Sequence, residues 1–218
     1  MQGGGIIVIV LEHVTKRIHK NIVLRDIDMT FQEGIVYGLR GYNGSGKTML
    51  LRIISGLIRP TNGRICIDGQ ILGKDMDFPS SMGVLIENPA FLDDFSGKEN
   101  LEMIMSINKV IDENRLMGCL NEVGLTQSKD LKYKKYSLVM KQRLGIAAAF
   151  MEKPKLILLD EPTNALDEEG IQMLEKLINE MRDNNRIIII ASHEKDFLNK
   201  IADIVYLMDK GSICLEDN

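Results

Sequence analysis

The sequence predicts an α/β fold: a mainly parallel core sheet, an antiparallel β-rich N-terminal part and a helical insertion. Three observations predict it. Short apolar runs such as LILL (156–159) and IIIIA (187–191) end in polar residues, the profile of strands buried on both faces of a parallel sheet. Stretches of helical spacing alternate with them, which places covering layers on the sheet. A glycine-rich loop joins one such strand to a helix. At 218 residues, against a soft prior of roughly 150 per domain, the chain is one domain, or one domain carrying a sizeable insertion.

In chain order, residues 6–31 hold IIVIVL and IVLRDIDMTF, whose partial alternation favours strands. An apolar strand at 35–39 enters the glycine-rich loop, and Met49, Leu50, Ile53, Ile54 and Leu57 recur at helical spacing after it. Residues 60–63 read as a turn and GRICIDG as a strand. MGVLIENP is a further strand ending at Pro89. From Gly97 to Met151 the pattern is helical, and we read 89–151 as an insertion into a core made of 1–88 and 152–218. KLILLDEP is a buried strand, 168–183 a helix with Ile171, Leu174, Leu177, Ile178 and Met181 on one face, RIIIIASH another strand, and IVYLMDKGSICLED a hairpin turning at Lys210-Gly211.

Composition excludes several classes. With 44% hydrophobic and 27% charged residues the chain is neither disordered nor fibrous. A net charge of -4 without a long basic run argues against a nucleic-acid partner. Cys66, Cys119 and Cys214 form no CxxC pair, so neither a disulfide framework nor a zinc site is expected, and a reducing cytoplasm fits. The longest apolar runs are six residues, against roughly 18 for a bilayer span. The N-terminus lacks the basic segment and cleavage pattern of a secretory signal. The cysteines and the thirteen methionines read as packing residues.

Gly41-Tyr42-Asn43-Gly44-Ser45-Gly46-Lys47-Thr48 matches GxxxxGK[ST] between a strand and a helix, the context that this phosphate-binding loop requires. Its glycines let backbone N–H groups surround an anion at the positive end of the helix dipole. Lys47 adds a cation at the terminal phosphates and Thr48 a hydroxyl for Mg2+. The bland alternative is a glycine-rich turn that contains a lysine. Asp160 and Glu161 close an apolar strand; one carboxylate would hold the Mg2+ shell and the other orient or deprotonate water. The alternative for this pair is an acidic helix cap. Neither Asn108-Lys109 nor Asn199-Lys200 is followed by the Asp that guanine recognition uses, so adenine is favoured and ATP is the expected nucleotide.

Taken together, these residues resemble the nucleotide-binding subunits of ATP-binding-cassette (ABC) transporters over nearly the whole chain, a P-loop NTPase cassette. Gly41 to Thr48 is similar to Walker A and LILLDE to Walker B; YSLVMKQRLGIA resembles the family signature, Asn164-Ala165-Leu166-Asp167 the D-loop, and Ser192-His193 the switch histidine. The resemblance implies that Ser137 and Asp167 meet the nucleotide across a pair of cassettes, and that His193 senses the terminal phosphate. Departures from the family pattern are informative. Glu87 stands where the family commonly has Gln; it would approach Mg2+ or the attacking water, or else be a solvated strand end. This places the resemblance nearest exporters of antimicrobial peptides or drugs. Ile18, in KRIHK, falls where an adenine-stacking aromatic is common, with His19 beside it.

Val139 occupies a signature position where Gly is expected. A β-branched side chain restricts the backbone and crowds an anion. A degenerate half of a heterodimer, an engineered or random substitution, and a backbone that tolerates Val all remain open. The resemblance implies a cytoplasmic ATPase, peripheral on the inner face of the cell membrane, that pairs with a second ABC ATPase subunit in a homo- or heterodimer around ATP and Mg2+. A transmembrane permease on a separate chain would do the transport. The alternative is a nearly inactive regulatory ATP-binding cassette in a heterodimeric complex.

Overall fold

The computed structural model describes residues 8–107, 112–182 and 186–216. The readings that fell on Ile6, Asn108, Lys109 and Asp183 lie outside them. Strands β1 (Val8–Ile18) and β2 (Asn21–Gln32) pair antiparallel through a tight turn at His19, whose φ of 53° is left-handed. With β4 (Asn62–Ile67) and β5 (Gln70–Ile71) they form an antiparallel sheet in the order β2-β1-β4-β5.

The core sheet contains β3 (Val36–Arg40), β6 (Met82–Leu85), β7 (Leu156–Asp160), β8 (Ile187–Ser192), β9 (Ile204–Asp209) and β10 (Ser212–Leu215), in the order β10-β9-β3-β8-β7-β6. Every neighbouring pair is parallel except the β9–β10 hairpin. Alternation along the central strands divides the core in two. Ile157, Leu159, Ile188 and Ile190 pack with α4 (Leu138–Phe150), α5 (Glu168–Arg182) and α6 (Lys195–Ile201). Leu156, Leu158, Ile187 and Ile189 pack with α1 (Lys47–Ile54) and the inner side of the antiparallel sheet. Each fully buried Ile or Leu stabilises by roughly 1.5–3 kcal/mol relative to exposure. That explains why these strands carry no polar residue until their C-terminal ends. Among the described residues, no helix is long and apolar enough to cross a membrane, and the three cysteines are free.

Between β6 and β7 the chain forms α2 (Gly97–Ile107), α3 (Glu113–Glu122) and α4. Side chains cap two of these helices: the Asp112 carboxylate accepts the Arg115 N–H, and Ser137 Oγ accepts the Met140 N–H. Two local expectations are corrected. Leu57 is not on the buried face of α1, because the helix stops at Ile54 and Gly56 turns the chain at φ 85° against the Asp77 carbonyl; Leu57 is left exposed. The strand MGVLIENP stops at Leu85 rather than Pro89, since Glu87 leaves the extended region at φ 60°.

Candidate functional site

The glycine-rich loop is built from β3 into α1 and is held from two sides. Gly44 and Gly46 have φ of 83° and 113°, and a Cβ on Gly46 would lie 3.0 Å from Leu24 Cδ2 and 3.1 Å from the Val23 carbonyl oxygen. On the other side the Gly211 N–H, in the β9–β10 turn, donates to the Ser45 carbonyl at 2.9 Å. A Cβ on Gly41 would stand 2.4 Å from the Met208 carbonyl, so the loop also lies flat on β9. Lys47 is buried inside this cradle; its Nζ donates to the Gly41 carbonyl at 2.6 Å and reaches the Tyr42 carbonyl at 3.4 Å.

The parallel strands bring the acids to the same end. Thr48 Oγ1 donates to Asp160 Oδ2 at 2.7 Å, while Asp160 Oδ1 is buried with no hydrogen-bond partner. A hydroxyl and an unsatisfied carboxylate oxygen on one point are hard oxygen donors of the kind Mg2+ takes, so the residues present fit that ion. Burial pushes the Asp160 carboxyl above the ordinary aspartate range, and the Glu161 charge adds to this; the Thr48 hydrogen bond and Lys47 oppose it. Glu161, at φ 46°, turns its carboxylate the other way. Its Oε1 is 3.3 Å from Lys47 Nζ, and its Oε2 is 2.8 Å from His193 Nδ1 and 3.3 Å from both the His193 N–H and Ser192 Oγ.

Two clefts meet here. One, of about 290 Å3, lies along the glycine-rich loop and includes Tyr42, Asn43, Lys47, Thr48, Glu87 and Glu161. The other, of about 440 Å3, is lined by Glu87, Asn88, Gln142, Asp160, Glu161 and Asn164. Glu87 borders both. Ile18, Ser137 and Asp167 line neither. Ile18 is exposed near the tip of the β1–β2 hairpin, whereas Val23 and Met49 supply apolar surface to the cleft along the loop. Ser137 caps α4. Asp167 accepts the Gly170 N–H at 2.9 Å and an Arg143 N–H at 3.2 Å, in that order the causes that hold its carboxyl below the usual range. Val139 lies in the first turn of α4 and is not among the residues with positive φ, so its backbone conformation is one that a β-branched residue adopts without strain. The expected backbone conflict is absent; only the bulk of the side chain remains.

Arg52 and Val23 escaped sequence reasoning, and Gln142 enters it only as part of the signature resemblance. Arg52 follows Thr48 by one helical turn on α1 and pairs with Glu87, Nη2 to Oε1 at 2.5 Å. Gln142 is buried and donates to the Pro162 carbonyl at 2.9 Å, tying α4 to the residue after Glu161. Val23 borders the loop from β2. The i, i+4 spacing from Thr48 puts Arg52 on the same face of α1, but nothing in the sequence marks its pairing with Glu87 or the place of Val23.

Comparison with known proteins places the chain in a family. The ABC transporter family model matches residues 24–164. The chain is 44% identical over 201 residues to the uncharacterised ABC transporter ATP-binding protein YybJ of Bacillus subtilis (strain 168), covering 92% of each chain. It is 35% identical to the bacitracin transport ATP-binding protein BcrA of Enterococcus faecalis, over 97% of this chain and 69% of that one. It is 34% identical to the lantibiotic transport ATP-binding protein SrtF of Streptococcus pyogenes, over 94% and 89%. An ATP-binding subunit of an ABC transporter superposes with a TM-score of 0.88 at 24% identity, over 96% of this chain and 90% of that one. A dimeric post-hydrolysis ATP-binding cassette with ADP and Pi superposes at 0.86 and 22% identity, over 96% and 98%. The loop, the paired acids at the strand ends and these likenesses lead to one conclusion: the chain belongs to the ABC transporter family, as one of its ATP-binding ATPase subunits.

Proposed function

We propose that the chain hydrolyses ATP in a complex with a second cassette and a separate transmembrane permease, and that the closure of two cassettes around ATP drives export. The observation that carries the hydrolytic assignment is the placement of the Glu161 carboxylate between Lys47 Nζ at 3.3 Å and His193 Nδ1 at 2.8 Å, beside an Asp160 already joined to Thr48. Loop N–H groups and Lys47 bind the phosphates. Thr48 and Asp160 would hold Mg2+, which would neutralise charge on the terminal phosphates, and Glu87 stands at the cleft edge paired with Arg52. Glu161 accepts a proton from the water that attacks the terminal phosphorus as ADP leaves, and His193 keeps that carboxylate aimed.

Ser137 and Asp167 lie outside both clefts of their own chain, which supports a role toward the nucleotide of a second subunit. Leu138, an exposed apolar residue at the same end of α4, is consistent with a covered surface there. Residues 89–151 act as the insertion that meets the permease, 1–88 and 152–218 as the catalytic core. The chain would then sit in the cytoplasm, on the inner face of the cell membrane. The bacitracin and lantibiotic transport relatives favour an antimicrobial peptide or drug as cargo. The regulatory reading draws on one observation, the Val139 side chain in the first turn of α4. The test is ATP turnover by the chain purified with its membrane partner, alongside Glu161→Gln: turnover by the parent and none by the variant supports the assignment, and equal rates reject it.

A further inference from the structure

An acidic residue at 87 poses an electrostatic problem. Asp160 and Glu161 already bring two carboxylates to the clefts, and a triphosphate adds more negative charge. A third carboxylate bordering both clefts repels the substrate unless something neutralises it. The structure contains the neutralising group. Arg52 projects from the face of α1 that carries Thr48, one turn further on, and its Nη2 lies 2.5 Å from Glu87 Oε1. Glu87 reaches it because its backbone leaves β6 at φ 60°, a conformation uncommon outside glycine, which turns the side chain toward α1. As a partly exposed ion pair this contact adds little to folding. Its position matters more than its strength, because Arg52 lines the same cleft as Lys47 and Thr48.

We propose that Arg52 is a charge-compensating positioning residue: it holds the Glu87 carboxylate as half of a neutral pair, so that an acid at this position is compatible with a bound triphosphate. This rests on the glycine-rich loop being the ATP site. The pair is then the electrical equivalent of a neutral amide at 87, and the two residues are interdependent. Removing Arg52 alone uncovers a negative charge at the cleft. Removing the charge of Glu87 at the same time leaves nothing to uncover.

The experiment is isothermal titration of the full chain with ATP in magnesium-free buffer containing EDTA, where triphosphate charge is greatest. The variants are Arg52→Met, which keeps the aliphatic stem, Glu87→Gln, the double variant and Arg52→Lys, at low and high salt. Arg52→Met is expected to weaken ATP binding by about tenfold at low salt, less at high salt. The double variant is expected to bind within about twofold of the parent, and Arg52→Lys to retain most of the affinity. An equal loss from Arg52→Met in the parent and Glu87→Gln backgrounds overturns the proposal, because Arg52 would then act on nucleotide directly or through the fold. So does unchanged affinity in Arg52→Met. Thermal unfolding without nucleotide identifies a variant that fails to fold, in which case Arg52→Gln replaces it in the same cycle. Lys47→Ala is the separate control: if it binds ATP as the parent does, the site assignment fails, whatever Arg52 does.

Discussion

His193 Nδ1 lies 2.8 Å from Glu161 Oε2, so the histidine at the end of β8 touches the acid at the end of β7. The parallel pairing of these strands sets Asp160 opposite Ala191, so Glu161 and Ser192 leave the sheet side by side and His193 follows one residue on, within reach of the same carboxylate. Sequence reasoning placed His193 at a phosphate; the structure gives its ring a protein partner.

The two residues should therefore differ in what their loss does. Glu161→Gln is expected to retain ATP and lose turnover by roughly a hundredfold to ten-thousandfold, the range of a general base. His193→Ala should lose less, because Lys47 still holds the other oxygen of Glu161. Steady-state ATPase assays of the complex check the order, and a larger loss in His193→Ala would give the histidine the direct role.

Lys47→Ala should weaken ATP binding roughly tenfold to a hundredfold, the worth of a charge-assisted hydrogen bond. It also strips the Gly41 carbonyl of its donor at 2.6 Å. Titration calorimetry measures the first effect. Faster hydrogen exchange across the loop would report the second.

Asp160 should be unfavourable for stability in the nucleotide-free chain. Its carboxyl is raised by burial, so the native state prefers the protonated acid. That preference is satisfied below the ordinary aspartate pKa of about 3.9, and the contribution is lost as pH rises through the folded value. Asp160→Asn should then raise the unfolding temperature at pH 7, with the advantage fading on acidification. The same variant should lose Mg2+-dependent ATP binding. Scanning calorimetry from pH 4 to pH 8 tests the sign.

Val139→Ala isolates side-chain bulk, because α4 already gives residue 139 a helical backbone. In a Glu161→Gln background, the alanine variant is expected to increase the ATP-dependent dimer without altering ATP affinity of the single chain. Val139→Gly is a poorer probe, since it adds roughly 0.5–1 kcal/mol of helix destabilisation. Light scattering with ATP reads the dimer fraction; equal fractions would show that the valine is accommodated.

Thiol labelling should be graded. Burial pushes the Cys119 thiol up to about 11, whereas Cys214 is exposed. At pH 7.5, Cys214 should react within minutes and Cys119 only on unfolding. Mass spectrometry of the labelled peptides decides it.

Much of this architecture was legible because β7 and β8 have almost no choice. LILL and IIIIA are apolar on both faces, so they belong in the centre of a parallel sheet, and the polar residues that end them fall together at one rim. The glycine-rich loop was legible for a similar reason: its positive φ angles demand glycine. Arg52 was not, because an arginine in a helix is usually solvated and only the turn at Glu87 gives it a partner. Ile18 is a different case. Its place near the base comes from motif order alone; the β1–β2 register sets it opposite Asn21, exposed at the hairpin tip.

The Gly211–Ser45 hydrogen bond ties the phosphate loop to a hairpin far along the chain, while Val23 and Leu24, which precede the loop, hold its other flank. The loop's own sequence ends at Thr48, yet its shape draws on segments from both sides of it. The ATP-binding motif is thus local and the ATP-binding site is not: a fragment that carries Gly41 to Thr48 without the β9–β10 turn has the motif but lacks one of the contacts that shape it.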